Sequence, residues 1–340
     1  MILKRIARTK FAYTPLLMIC FRVSLIIFFA LVASFCLPGV VIAGDGSAAQ
    51  IAGISTHQIL PSDTDSRINT FSGQGFAHWS WFYSSVRDTG QLVVFLPGTG
   101  GKGNGSAPFN LTAASLGFHV LCLAYPDDIS MSTFNNSDDQ GAFAKARTNV
   151  ITGKVQFGNL NINEFNSIEH RLVMALRYLA RSYPNENWAQ FLDRSNDVDW
   201  EKLILTGQSQ GGGHACFIAM KMHRVARVLM FGAPKDFNVY YNKPGAWFFE
   251  SSITPGNRFF SFVHEGDDHN GCTYQQQLQI YQAMRLMPQY SVVDADQVPY
   301  PYKHSRLLTG SFPQTNAHGA PIHDQRYVNA WKYLLTEPAQ

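Results

Sequence analysis

The segment from Lys202 to Gly213, KLILTGQSQGGG, constrains the fold more than any other in the chain. Lys202 to Thr206 is an apolar β-type run, and it passes directly into a seven-residue turn, Gly207 to Gly213, in which four residues are glycine. A helix-compatible segment follows from about His214 to Met222. A strand that is apolar throughout must be covered on both faces of its sheet. Further runs of this kind occur at Gln91 to Leu96, Phe118 to Ala124, Val225 to Phe231, Arg258 to His264 and Ser305 to Leu308. Helical spacing lies between and after them: Ala107 to Leu116, Tyr274 to Leu286, Asp324 to Leu335, and an amphipathic stretch carrying Ile168, Leu172, Ala175, Leu176 and Leu179 that ends near Tyr183-Pro184. The alternation predicts an α/β fold, a doubly wound, mostly parallel sheet with helices on both faces.

With 340 residues, 46% hydrophobic and 15% charged, the chain has ample apolar material for a large core, which excludes disorder and a fibrous repeat. No Pro/Gly linker separates two self-contained cores, so a single domain is expected over residues 67–340, preceded by a flexible leader over residues 44–66. Residues 127–159, polar and weakly periodic, form a long excursion, either a surface loop or a cap over a site.

The first 43 residues have the pattern of a signal peptide: a basic start, an apolar stretch from Val23 to Leu37, and Val41-Ile42-Ala43 as a cleavage site before Gly44. A secreted or periplasmic protein is expected; the alternative is an uncleaved membrane anchor. Five basic residues and no acidic ones precede residue 44, so the formal charge of +3 becomes an excess of acid, 22 Lys and Arg against 24 Asp and Glu, once they are set aside. No basic cluster remains to track a phosphate backbone, and nucleic acid is excluded as a partner. Of five cysteines, Cys122, Cys216 and Cys272 lie in the body, so at most one bridge could form there.

Gly207-x-Ser209-x-Gly211 acquires meaning from its place between a buried strand and a helix. A serine projecting from so sharp a turn needs neighbours without side chains two residues away, because a Cβ there would collide with the packing. The same turn puts the N–H of Gln210 at a helix N-terminus beside Ser209, where it can donate to a developing oxyanion.

Strand, GQSQGGGHA and helix together resemble the α/β-hydrolase superfamily over roughly Leu92 to Leu335, and the nonapeptide also resembles a group of secreted bacterial hydrolase-like proteins. The resemblance implies a serine hydrolase whose chain order is nucleophile, acid, histidine, with no cofactor and no metal. Ser209 takes the nucleophile's place. Asp268 best fits the acid's distance beyond the strand that ends at His264, with adjacent Asp267 the alternative. His318, in Asn316-Ala317-His318-Gly319, takes the base's place, with His323 the rival; His214, His264 and His269 are expected to pack or to bond locally. The second oxyanion donor falls after QLVVFL, in Leu96-Pro97-Gly98-Thr99-Gly100-Gly101. Pro97 stands where the family usually has histidine, a tolerable departure because the donor is a backbone N–H, that of Thr99 with Gly100 as the fallback.

Other chemistries fit less well. Gly98-x-Gly100-x-x-Gly103 matches a dinucleotide fingerprint literally, with Asp127 at the end of the next strand, but Asn104-Gly105-Ser106 and Pro108 delay the helix that must begin among the glycines. A metal could be drawn through His264, Asp267, Asp268, His269 and His318, without any established ligand spacing. A catalytically silent binding module of the same fold would not need nucleophile, acid and histidine in order. A small or polymeric carboxylic ester is therefore the expected substrate. Trp79, Trp81, Tyr125, Trp247, Phe248 and Phe249 are candidates for lining its pocket, and Asn104, Asn110 and Asn135 begin glycosylation sequons.

Overall fold

The fold is described from a computed structural model over residues 53–69 and 76–338. The targeting segment and most of the expected leader lie outside the described residues. Eleven strands occur among the described residues: β1 Ile54–Ile59, β2 His78–Tyr83, β3 Leu92–Leu96, β4 His119–Cys122, β5 Leu203–Gln208, β6 Arg227–Phe231, β7 Phe237–Asn238, β8 Lys243–Pro244, β9 Phe259–His264, β10 Val292–Asp294 and β11 Leu307–Gly310. The α-helices are α1 Pro61–Thr64, α2 Ala107–Ser115, α3 Ala142–Thr152, α4 Ile168–Ser182, α5 Gln210–Lys221, α6 Tyr274–Ala283, α7 Ala320–His323 and α8 Val328–Thr336.

Nine strands build one sheet in the order β1-β2-β4-β3-β5-β6-β9-β11-β10, while β7 and β8 form a separate hairpin. From β4 to β10 every pairing is parallel; β1 and β2 pair antiparallel with their neighbours at one edge. Side chains alternate across each strand and feed two cores. Leu92, Val94 and Leu96 of β3 join α3, α4, α5 and α6 on one face, and Val93 and Phe95 join α2, α7 and α8 on the other. The expected doubly wound, mostly parallel α/β architecture is the one observed.

Several boundaries differ from expectation. The stretch Ile54 to Thr64, expected within a flexible leader, is the edge strand β1 followed by α1. Strands β2 and β10 were not anticipated, and Trp79 and Trp81 belong to β2. The excursion over residues 127–159 is not a plain loop: it carries a 3-10 turn, Met131–Phe134, and the helix α3.

The parallel strands all end on the same edge of the sheet. The connections leaving β3, β5, β6, β9 and β11 therefore emerge side by side, and loops distant in sequence meet there.

Candidate active site

Ser209 sits between the last residue of β5 and the first of α5 with φ 54° and ψ −119°, a conformation that a residue bearing a Cβ adopts only when its surroundings impose it. Its N–H donates to Phe231 O at 2.9 Å and its carbonyl accepts from Gly213 N at 3.0 Å. The glycines have individual steric reasons. A Cβ on Gly211 would lie 2.0 Å from Leu96 O, one on Gly207 2.5 Å from the same oxygen, one on Gly212 2.6 Å from Ala233 Cβ, and one on Gly213 2.1 Å from Arg147 Nη2. The run of glycines lets β3, β5 and α5 approach to backbone contact and admits a guanidinium beneath the helix.

The loop after β3 closes over Ser209. A Cβ on Gly98 would stand 3.2 Å from Ser209 Cβ and 2.3 Å from Gln208 Oε1, so a side chain there would have to displace its neighbours. Tyr125 Oη donates to Pro97 O at 2.7 Å, and Gly100 N donates to Asp127 O at 3.2 Å, tying the loop to the end of β4. Thr99 Oγ1 donates to Gln210 Oε1 at 2.9 Å, joining the two residues expected to supply the oxyanion donors. Thr99 N–H has no acceptor among the described residues, and Gln210 N–H lies in the first turn of α5, where no preceding helical carbonyl is available to it.

His318 Nδ1 stands 2.9 Å from Asp267 Oδ2. The carboxylate against the histidine is thus that of Asp267 and not of Asp268, which is exposed and makes no hydrogen bond to His318. The turn beyond β9 explains the difference: Asp267 N–H donates to His264 O at 2.9 Å and Gly266 N–H to His264 Nδ1 at 3.0 Å, which folds residue 267 inward and turns residue 268 out. Four donors surround the Asp267 carboxylate. Lys235 Nζ lies 2.8 Å and His269 N 3.1 Å from Oδ1, while His318 and Gln277 Nε2, at 3.1 Å, share Oδ2. Burial alone would push this carboxyl up, but the bond from His318 and the charge of Lys235 outweigh it and hold the group well below the usual carboxylate range.

His318 is fixed on three sides, with Nε2 left buried and without a partner. The His269 ring stacks on it at 4.5 Å and 18°, Asp267 holds Nδ1, and Gly232 (φ 54°) passes close enough that a Cβ there would meet the ring at 3.1 Å. Gly232 follows Phe231, whose carbonyl holds Ser209 N–H, so the end of β6 braces both Ser209 and His318.

The other histidines are engaged elsewhere. His264 Nε2 bonds to Phe312 O at 2.8 Å. His214 is fully buried with Nδ1 3.2 Å from Arg147 Nη1, its pKa driven well down by burial and by that cation. His323 ends α7, and burial with the neighbouring His318 lowers its pKa. Among the described residues no three His, Cys, Asp or Glu are placed to hold a metal ion together: His264 Nε2 bonds to Phe312 O, and the Asp267 carboxylate faces the four donors above. Nor does a helix begin among Gly98, Gly100 and Gly103, since α2 starts only at Ala107.

Residues 127–159 lie against this site. Met131 N donates to Gln210 Oε1 at 3.1 Å. Arg147 of α3, 1% exposed, donates to Gln210 O at 3.3 Å and grips Asp236 through Nε at 2.7 Å and Nη2 at 2.5 Å. Trp247 Nε1 also donates to Asp236, at 3.0 Å. Arg147, Lys235, Asp236 and Gln277 were not anticipated. Their partners are 63 or more residues away for Arg147 and 32 for Lys235, and neither carries a local pattern. The expected aromatic lining is not found at Ser209: Tyr125, Trp247, Phe248 and Trp81 are core residues, Trp79 lies on β2, and Phe249 is exposed on the surface. Cys122, Cys216 and Cys272 are buried free thiols, and Asn110 is fully buried, so its sequon offers no acceptor on the folded chain.

No protein-family model matches the sequence, and neither does any curated protein. Among solved structures, the chain is similar to esterase B from Lactobacillus rhamnosis, solved with a tributyrin phosphonate (TM-score 0.43, 12% identity, 84% of this chain and 87% of that one). It is also similar to a putative dienelactone hydrolase from Klebsiella pneumoniae (TM-score 0.41, 11% identity, 84% and 99%) and to an acetyl xylan esterase from Aspergillus awamori (TM-score 0.41, 12% identity, 82% and 99%).

Proposed function

We propose that the protein is a secreted serine hydrolase of carboxylic esters, working through Ser209, His318 and Asp267 and an acyl-enzyme intermediate. The observation that carries this reading is the conjunction at one sheet edge of a strained serine between strand and helix and a histidine whose Nδ1 is held by a buried, ionised carboxylate. Asp267 keeps the Nδ1 proton in place, so Nε2 presents its lone pair. That nitrogen takes the Ser209 proton as Oγ bonds to the ester carbon. The carbonyl oxygen, now an anion, is met by the N–H groups of Thr99 and Gln210, each worth about 10²–10³ in rate by analogy with measured donors. Collapse breaks the bond to the alkoxide, which leaves with the proton from His318. A water activated by the same nitrogen then releases the acid. Nothing in these steps calls for a cofactor.

The test is labelling of the purified protein with a fluorophosphonate beside Ser209→Ala. Labelling of wild type and not of the variant is expected; a folded wild-type protein that neither labels nor hydrolyses any ester overturns the reading in favour of a binding module. Export rests on residues 1–43 alone, and N-terminal sequencing of the extracytoplasmic protein checks it: a start at Gly44 is expected, whereas a start at Met1 identifies an uncleaved anchor.

A further inference from the structure

Resting on the serine hydrolase reading, we propose that Lys235 is a positioning residue whose ammonium, acting through Asp267, opposes protonation of His318 and so extends activity toward acid. A carboxylate on Nδ1 is enough to orient the ring and to stabilise its charged form. A cation on the far oxygen of that carboxylate works against the second of these effects. The chain delivers this cation by a short connection. Gly232, just past β6, passes beside the His318 ring, and a few residues on Lys235 and Asp236 send their charges to different partners. Asp236 pairs with Arg147 of α3 at 2.5 Å, and Lys235 Nζ donates to Asp267 Oδ1 at 2.8 Å. The Lys235 side chain is 9% exposed and that of Asp267 is fully buried, so water and salt screen this pair little.

The charged and titratable groups about His318 come from four elements. The loop after β9 supplies Asp267 on Nδ1, the His269 ring stacked at 4.5 Å, and exposed Asp268, whose charge acts on His269. The connection after β6 supplies Lys235, and α7 supplies His323, whose pKa burial and His318 lower. Gln277 of α6 is uncharged, and Arg147 is balanced by Asp236. Burial, then the charges of His318 and Lys235, hold the His269 imidazole below its ordinary value, so the field of Lys235 reaches the imidazole stack. Among the buried groups the balance is therefore Lys235 against Asp267. They cancel while His318 is neutral, and a proton on His318 leaves a positive charge uncompensated. Without the Lys235 charge, the same proton neutralises the site, so His318 holds it to higher pH. A protonated His318 cannot accept from Ser209, and removing the Lys235 charge thus moves the acid limb of activity upward. Ammonium and imidazole face each other across one carboxylate, within about 8 Å, where a unit charge in partly buried surroundings moves a titration by about one pH unit.

The experiment is the pH profile of kcat/KM on p-nitrophenyl acetate for full-length wild type, Lys235→Gln and Lys235→Arg at constant ionic strength, with near-ultraviolet circular dichroism on each. Lys235→Gln keeps a donor for Asp267 and removes the charge, whereas Lys235→Arg keeps both. The acid limb of Lys235→Gln is expected at least about half a pH unit above that of wild type, and that of Lys235→Arg within about 0.2 unit of it. The rate of fluorophosphonate labelling, which stops at modification of the serine, should shift in the same way. A merely structural role would lower kcat or stability and leave the limb in place. A folded, active Lys235→Gln enzyme with the wild-type limb therefore overturns the proposal, as does Lys235→Arg shifting as far as Lys235→Gln. Should Lys235→Gln not fold, Lys235→Met carries the same test, with the same expected shift and the same overturning result. A wild type that neither labels nor hydrolyses any ester overturns the serine hydrolase reading instead, so the two failures are distinguishable.

Discussion

Replacing Asp267 by Asn tests the site most sharply, because every position around this carboxylate faces a donor. An amide can accept at only one end, and its NH2 must turn toward either the Lys235 and His269 side or the Gln277 and His318 side. The first side cannot adapt: an ammonium and a backbone N–H have no acceptor to offer. The second can, since Gln277 can turn its amide over to present Oε1, buried and without a partner in the wild type, and the imidazole can change tautomer. The amide nitrogen of the substituted side chain is therefore driven to the His318 side, where Nδ1 must become the acceptor and the ring proton moves to Nε2. A protonated Nε2 cannot take the proton from Ser209. Freezing this tautomer in a related triad geometry costs about 10⁴ in kcat, or roughly 5.4 kcal/mol of barrier. The assay is steady-state hydrolysis of p-nitrophenyl acetate by wild type, Asp267→Asn and Asp268→Asn, with near-ultraviolet circular dichroism to establish that each folds. Asp268→Asn, altering an exposed side chain, should stay within about threefold of wild type, since surface changes rarely reach 0.5 kcal/mol. A folded Asp267→Asn enzyme retaining a tenth of the activity, or an Asp268→Asn enzyme falling as far as Asp267→Asn, would refute the tautomer argument.

Two further predictions concern the supports of the site. Arg147→Met leaves Asp236, 1% exposed, as an uncompensated buried carboxylate; a loss of about 3–5 kcal/mol is expected, a Tm fall on the order of 10 °C. Adding Asp236→Asn should recover a substantial part of it, and thermal melts in which the double variant is no more stable than the single one would contradict the pairing. Burial pushes the Asp127 carboxyl up to about 7, against the pull of the Gly101 and Gly100 N–H groups. A folded-state pKa above the unfolded one means that the folded state binds the extra proton, so this contribution is full below about pH 4 and is lost as pH rises to about 7, up to about 4 kcal/mol in all. Asp127→Asn should remove that slope: in urea titrations its stability relative to wild type should rise steadily between pH 4 and 7.5, and a constant difference would show that Asp127 does not carry the slope.

What the sequence made legible was whatever has a cause close by in the chain. The elbow is such a case at Gly207, where a Cβ would meet Gly211 C and Gly212 N of the helix that follows, whereas the atoms that exclude a Cβ at Gly211 belong to Leu96 and Pro97, far earlier in the chain. The β1 strand was missed because it is a half-exposed edge with Ile54 and Ile59 alone buried, too few apolar positions to separate strand from leader. The acid shows the limit of spacing. Counting from the end of β9 locates the loop, but one residue decides whether a side chain points to the core or to solvent, and that was set by the two bonds that His264 accepts from Gly266 and Asp267. The make-up of the cleft had no local signature at all, since the lining is drawn from residues 99, 130–132, 147, 209–210, 235–236 and 270. Of the aromatic side chains that composition offered for a pocket, Trp81, Tyr125, Trp247 and Phe248 went to the cores on the two faces of the sheet, where burying them contributes most to stability. What remained for the sheet edge were the short polar residues of loops.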